Sequence, residues 1–112
     1  MVVLGVAITA AIGAILRVAM TNHDGNFTRQ VLTTGAVNIV GSFLLGWLAG
    51  SSASANTLAI VGVGGLGSFT TFSTYISQID HLTRTSNRRD AVLYGVSSLV
   101  LGISAAYLGW LL

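Results

Sequence analysis

GVGGLGSFTTFSTY, residues Gly62–Tyr75, opens as glycine-rich apolar sequence and passes without a break into alternating hydroxyls and aromatics. It lies within Thr57–Ile79, a stretch long and apolar enough to cross a membrane. Hydrocarbon gives a backbone no alternative hydrogen-bond partner, so irregular, polar structure at that depth belongs beside protein or an aqueous cavity. This stretch is the first candidate for a pathway or a binding site.

The surrounding chain supports a membrane setting. Of its 112 residues 53 % are hydrophobic and 7 % charged, against roughly a quarter charged in a soluble domain. Three further apolar runs flank the central one: Val2–Met20, Val31–Gly50 and Ala91–Leu112. Each has about the twenty residues that a spanning helix needs. The first lacks the basic leader of a signal peptide, so it is expected to stay as a span. Short connections join the runs, and residues 1–112 read as one four-helix transmembrane domain, all-α in class.

Small residues recur at helical spacing along these spans. Gly35, Asn38, Ser42, Gly46 and Ala49 share a face, as do Gly95, Ser98, Gly102, Ala105 and Gly109, and Gly5, Thr9, Gly13 and Arg17. Such faces let helices approach closely where lipid gives no hydrophobic drive for association. Close packing explains the glycines; Asn38, Ser98 and Arg17 on the same faces ask for more.

Charge sets the expected orientation. Arg17, Arg29, Arg84, Arg88 and Arg89 all lie on the side of the first and third loops. The other side, with both termini and the second loop, has no Lys or Arg. The positive-inside rule therefore places the first and third loops in the cytoplasm of a cell-membrane protein and both termini outside. Net charge of +2 is far too sparse for a nucleic-acid footprint.

Several chemistries are excluded. Asp24, Asp80 and Asp90 sit in loops or at span ends and there is no glutamate, whereas proton-coupled carriers use an ionisable group within the membrane. That weakens the size-matched alternative, a small four-helix multidrug exporter. His23 and His81 are loop residues with no ligand partner at suitable spacing. No nucleophile, base and orienting group cluster, so an enzyme is not expected. Gly62, Gly64 and Gly67 match a dinucleotide fingerprint but lie inside a span without the acidic residue that should follow. Asn26-Phe27-Thr28 is a glycosylation triplet on the cytoplasmic side, a chance match.

Within the central stretch, Phe69, Phe72 and Tyr75 step by three among five hydroxyls. Ring edges carry partial positive charge, so they suit a path for a small anion whose water shell hydroxyl and amide donors replace. A packed aromatic stripe with hydroxyls bonded back to carbonyls is the alternative.

Three motifs resemble the Fluc (CrcB) fluoride channels: GAILR at Gly13–Arg17, TGAVNIVGSFLLG at Thr34–Gly46 and GLGSFTTFSTY at Gly65–Tyr75. The resemblance spans all four apolar runs. It implies four helices with a broken third, antiparallel dimers, and passive, selective fluoride export that relieves fluoride toxicity. By position it makes Asn38 a pore-lining amide, Phe72 the first phenylalanine of the pore box, and Ser73 and Thr74 polar residues of the path. Arg17 resembles a vestibule arginine that attracts anions. Tyr94 and Ser98 resemble a polar track on the last helix, packing being an equal alternative for Ser98. Backbone carbonyls of Gly67 and Thr70 match the ligands of a structural Na⁺ between subunits, two from each.

Tyr75 departs from the pattern, because a second phenylalanine is expected there. Its added hydroxyl is donor and acceptor, and either narrows the path or donates to the anion. The resemblance bears on the partner too. A family homodimer needs one sequence to insert both ways, and the arginine bias here forbids that. An antiparallel heterodimer with a homologous subunit, with one working pore, is the favoured assembly; a homodimer and a non-conducting partner subunit are the alternatives.

Overall fold

The computed structural model describes residues 1–21 and 27–112; His23, Asp24 and the triplet's Asn26 lie outside the described residues. Among the described residues four helical stretches are long and apolar enough to cross a membrane, so this is an all-α, multi-pass membrane protein. The first two are α1 (Val2–Thr21) and α2 (Phe27–Gly50). The third divides into α3 (residues 55–69) and α4 (Phe72–Thr85), and the last is α5 (Arg88–Leu111).

Local chemistry fixes several ends. The Ser54 hydroxyl accepts from the Thr57 N–H at 3.2 Å, capping α3. Asn87 caps α5 by accepting from the Asp90 N–H at 2.8 Å, and the Asp90 carboxylate favours the positive end of that helix. Helices overrun the apolar spans. α2 starts at Phe27 instead of Val31, α4 continues past Ile79 to Thr85, and α5 starts at Arg88 instead of Ala91. Hydropathy marks only the hydrocarbon crossing, while backbone hydrogen bonding continues into the polar margin.

Packing follows the small residues. α2 lies against α5 and α1 against α3. A methyl group on Gly46 would collide with the Ala106 carbonyl oxygen, and one on Gly109 with the Phe43 carbonyl oxygen. Across the other pair, a methyl on Gly13 would strike the Gly65 carbonyl, and the Thr9 hydroxyl donates to the Ile60 carbonyl at 2.5 Å. Gly35 belongs to the same sequence face but has nothing within 4 Å, so it is not a contact residue.

Residues Leu58–Leu66 of α3 wind as a π-helix, a rare form associated with functional regions; the Gly67 N–H still reaches back five residues to the Gly62 carbonyl. The helices form a slab of 46 × 29 × 16 Å. Its long dimension matches a bilayer including headgroups, about 40–45 Å. Among the described residues only Val37, Tyr75 and Ala91 are buried large or small apolar side chains, and most leucines, valines and isoleucines face outward.

Candidate functional site

The site is built around the gap between α3 and α4. Thr70 and Thr71 are both extended, with φ/ψ of −80°/162° and −146°/123°. The Thr70 N–H still reaches the Leu66 carbonyl at 3.0 Å. The Thr71 N–H turns away and donates to Asn38 Oδ1 at 2.8 Å, while Asn38 Nδ2 donates to the Thr71 carbonyl at 2.9 Å. One primary amide thus satisfies both backbone groups of Thr71 at the interruption, where hydrocarbon would leave them unpaired. It uses one of its two amide hydrogens. Thr71 then restarts the chain as the cap of α4, its hydroxyl accepting from the Thr74 N–H at 3.2 Å.

Beside this gap runs a groove of about 340 Å³ between α2 and α5. Asn38, Thr70, Thr71, Phe72, Tyr75 and Ser98 line it with Ser42 and an apolar remainder that includes Leu45, Leu66 and Leu99. Four of the predicted path residues, Asn38, Phe72, Tyr75 and Ser98, therefore meet in one place, although they come from three helices. Phe72 is 71 % exposed, its ring centred 5.9 Å from that of Tyr75. Close approach shapes the wall as well, since a methyl on Gly41 would collide with the Thr70 side chain.

The other predicted residues fall elsewhere. Ser73 faces outward on α4, and Thr74 accepts a hydrogen bond from the Thr71 hydroxyl at 3.1 Å. Tyr94 does not line the groove. Its hydroxyl donates to Gln78 Oε1 at 2.7 Å, its ring stands 5.5 Å from that of Tyr75, and Gln78 Nε2 continues to the Thr34 hydroxyl at 3.1 Å. Arg17 is partly buried near the end of α1, outside the groove lining.

Tyr75 answers the question raised by its departure from phenylalanine. It is buried, and its hydroxyl donates to the Gly95 carbonyl at 2.5 Å. The phenol is engaged by α5, and only its ring contributes to the groove.

The structural Na⁺ expected on the Gly67 and Thr70 carbonyls is corrected. Among the described residues no three His, Cys, Asp or Glu side chains gather, and no charged side chain is buried. The Gly67 carbonyl faces the Thr70 hydroxyl at 3.4 Å. This part of the chain offers a cation neither negative charge nor a side-chain ligand cluster among the described residues.

Sequence reasoning passed over Thr71, Thr34 and Gln78. For Thr71 a local signal exists, a hydroxyl residue three positions before Thr74 at the start of a polar helix. Thr34 and Gln78 are 44 positions apart, and nothing local announces their pairing.

Comparison with known proteins agrees with this architecture. Residues 4–110 match the family model described as CrcB-like protein, Camphor Resistance (CrcB). The fluoride-specific ion channel FluC 2 of Rhodococcus jostii is 36 % identical over 110 residues, covering 98 % of this chain and 96 % of the relative. FluC 2 of Lactobacillus acidophilus is 36 % identical over 113 residues, with 94 % and 91 % covered. FluC 1 of Geobacillus kaustophilus is 37 % identical over 106 residues, with the same coverage of 94 % and 91 %. No solved structure matches the chain. With residues 4–110 matched and its interrupted third span in place, the chain belongs to the CrcB-like family, the Fluc fluoride-channel family that its three motifs resemble.

Proposed function

We propose that this chain is a subunit of a passive, fluoride-selective channel, paired with a homologous chain of opposite orientation, through which fluoride leaves the cytoplasm. The observation that carries the reading is the clamp of Asn38 on Thr71. It fixes, at mid-span, a side-chain amide with one hydrogen to spare. Around it stand the N-terminal N–H groups of α4, the Ser98 hydroxyl and the Phe72 ring.

Fluoride is small and hard, so stripping its water is costly, and selectivity needs donors held close together instead of a fixed counter-charge. A chain-break amide, hydroxyls and a ring edge are donors of that kind. Asn38, Phe72 and Ser98 line the path and the Tyr75 ring backs it. Ser73 and Thr74 follow on α4, Tyr94 supports the wall, and Arg17 draws anions toward one mouth. All five arginines lie on the side of the first and third loops, which supports a cytoplasmic position for those loops and a single direction of insertion. A chain held in one direction needs a different partner to form an antiparallel pair, which favours a heterodimer with one working path.

Fluoride efflux from liposomes tests the reading. The chain with its homologue should conduct, and Asn38→Ala or Phe72→Ala should cut the flux. Unchanged flux with both substitutions would make this chain a non-conducting partner. Robust flux from this chain alone would overturn the need for a different partner.

A further inference from the structure

The π-winding of α3 is incomplete by itself. The Gly67 N–H reaches back five residues to Gly62, whereas the Thr70 N–H reaches back four to Leu66. Between those two bonds stand the N–H donors of Ser68 and Phe69 and the carbonyls of Val63, Gly64 and Gly65. Three acceptors face two donors, so the return to four-residue winding leaves one carbonyl without a backbone donor of its own. In hydrocarbon that deficit opposes the π form, and uniform α-winding would remove it.

α1 supplies what the ladder lacks. The Thr9 hydroxyl has one proton and three carbonyls in reach: Gly5 and Val6 of its own helix at 3.0 and 3.2 Å, and Ile60 at 2.5 Å. A membrane hydroxyl ordinarily bonds back to its own helix; this one lies closest to the carbonyl across the interface. One turn farther along, Gly13 brings a bare Cα against the Gly65 carbonyl, where a methyl would collide, a contact open to a weak Cα–H···O bond. Gly64 stays bare beneath Thr9, since its methyl would meet the Thr9 hydroxyl oxygen. Ile60 and Gly65 lie five apart and both turn to α1. Five-residue winding permits that, while α-winding would swing them to different sides.

We infer that Thr9 is a positioning residue for the chain break. By holding the Ile60 carbonyl it keeps Leu58–Leu66 in the π form, and the π form sets which residue stands opposite Asn38. Each π-turn takes up about one residue more than an α-turn, so rewinding these residues as α displaces the break by about two residues, roughly 3 Å. The Asn38 amide then cannot hold both backbone groups of Thr71. The consequence for fluoride rests on the conduction reading above; the link from Thr9 to the Asn38 clamp does not.

Thr9→Val removes the hydroxyl at nearly constant shape, and Thr9→Ser keeps it. Their partner residues, Ile60 and Thr71, are far apart along the third span, so a Thr9 that merely packs should act additively with Asn38→Ala. In reversible unfolding of the full chain in bicelles, the unfolding constant of the Thr9→Val, Asn38→Ala chain should instead depart from additivity by at least about threefold. The departure should be toward stability, because a displaced break leaves Asn38 nothing to hold. Additive effects overturn the inference. A second measurement needs only the single variants: amide hydrogen exchange at Thr71, whose N–H is bonded to Asn38. Thr9→Val should speed it at least about tenfold and Thr9→Ser should leave it as it was; an unchanged rate with Thr9→Val overturns the inference. In liposomes with the homologue, Thr9→Val should lower fluoride selectivity over chloride by at least about threefold, with recovery in Thr9→Ser. Unaltered selectivity would remove Thr9 from any role in the path. Faster Thr71 exchange in a chain that never conducts fluoride would sink the conduction reading and leave the positioning role standing.

Discussion

The hydroxyl of Tyr75 donates to the carbonyl oxygen of Gly95 at 2.5 Å, tying α4 to α5 across a contact that also brings the Tyr75 and Tyr94 rings within 5.5 Å. Because the phenol is engaged, Tyr75→Phe should remove an interhelical tie and leave the path's donors untouched. Thermal unfolding in detergent should fall by about 2–6 °C, the equivalent of ~0.5–1.5 kcal/mol. Fluoride selectivity, read from liposome efflux against chloride, should stay as it was. A large change in selectivity would place the hydroxyl in the path.

Asn38→Leu removes both hydrogen bonds to Thr71 and leaves an N–H and a C=O unpaired at mid-span. Stability should drop by about 2–4 kcal/mol, since each orphaned backbone group costs on the order of 1–3 kcal/mol. Asn38→Asp keeps the acceptor and, protonated at mid-span, donates its one O–H to the Thr71 carbonyl, so the clamp stands but no hydrogen is left to spare. It should unfold less readily than Asn38→Leu yet lose flux as completely, which separates the clamp from the path in one pair of measurements.

Phe72 is 71 % exposed in this chain. Phe72→Ala should therefore move the unfolding midpoint of the isolated chain by an amount equivalent to no more than about 0.5 kcal/mol. Fluoride flux through the assembled pair should fall at least tenfold, about 1.4 kcal/mol of barrier. Parallel losses of stability and flux would assign the ring to packing.

Gly35 and Gly46 look alike in sequence, and the fold distinguishes them. Gly46→Val drives a side chain into the Ala106 carbonyl and should cost about 1–3 kcal/mol or prevent folding. Gly35→Ala meets nothing within 4 Å and should stabilise α2 by about 0.5–1 kcal/mol. Unfolding midpoints of the two variants test the contrast.

The four spans were legible because each is a run of apolar residues of bilayer length, a property local to the run. The meeting of Asn38, Phe72 and Ser98 was legible through motif resemblance. The geometry behind it was not, since the bonds that hold the break join positions 33 apart. Helix ends at Phe27, Thr85 and Arg88 escaped because polar residues continue helical winding past the membrane edge. The hydroxyl of Tyr75 could be assigned only once its acceptor was in place. The sodium expectation came from motif position alone, and the chemistry around Gly67 and Thr70 does not support it.

The slab is 16 Å thin, barely more than one helix with its side chains, roughly 10–12 Å across. Such a body has almost no inside. Acyl chains, and in the proposed pair a homologous subunit, must provide the dispersion contacts that a globular protein obtains from its own core. Its folding free energy is then a joint property of chain and host, so bilayer thickness and detergent choice should shift the unfolding midpoint as much as a point mutation does. For this protein the lipid acts as a folding partner.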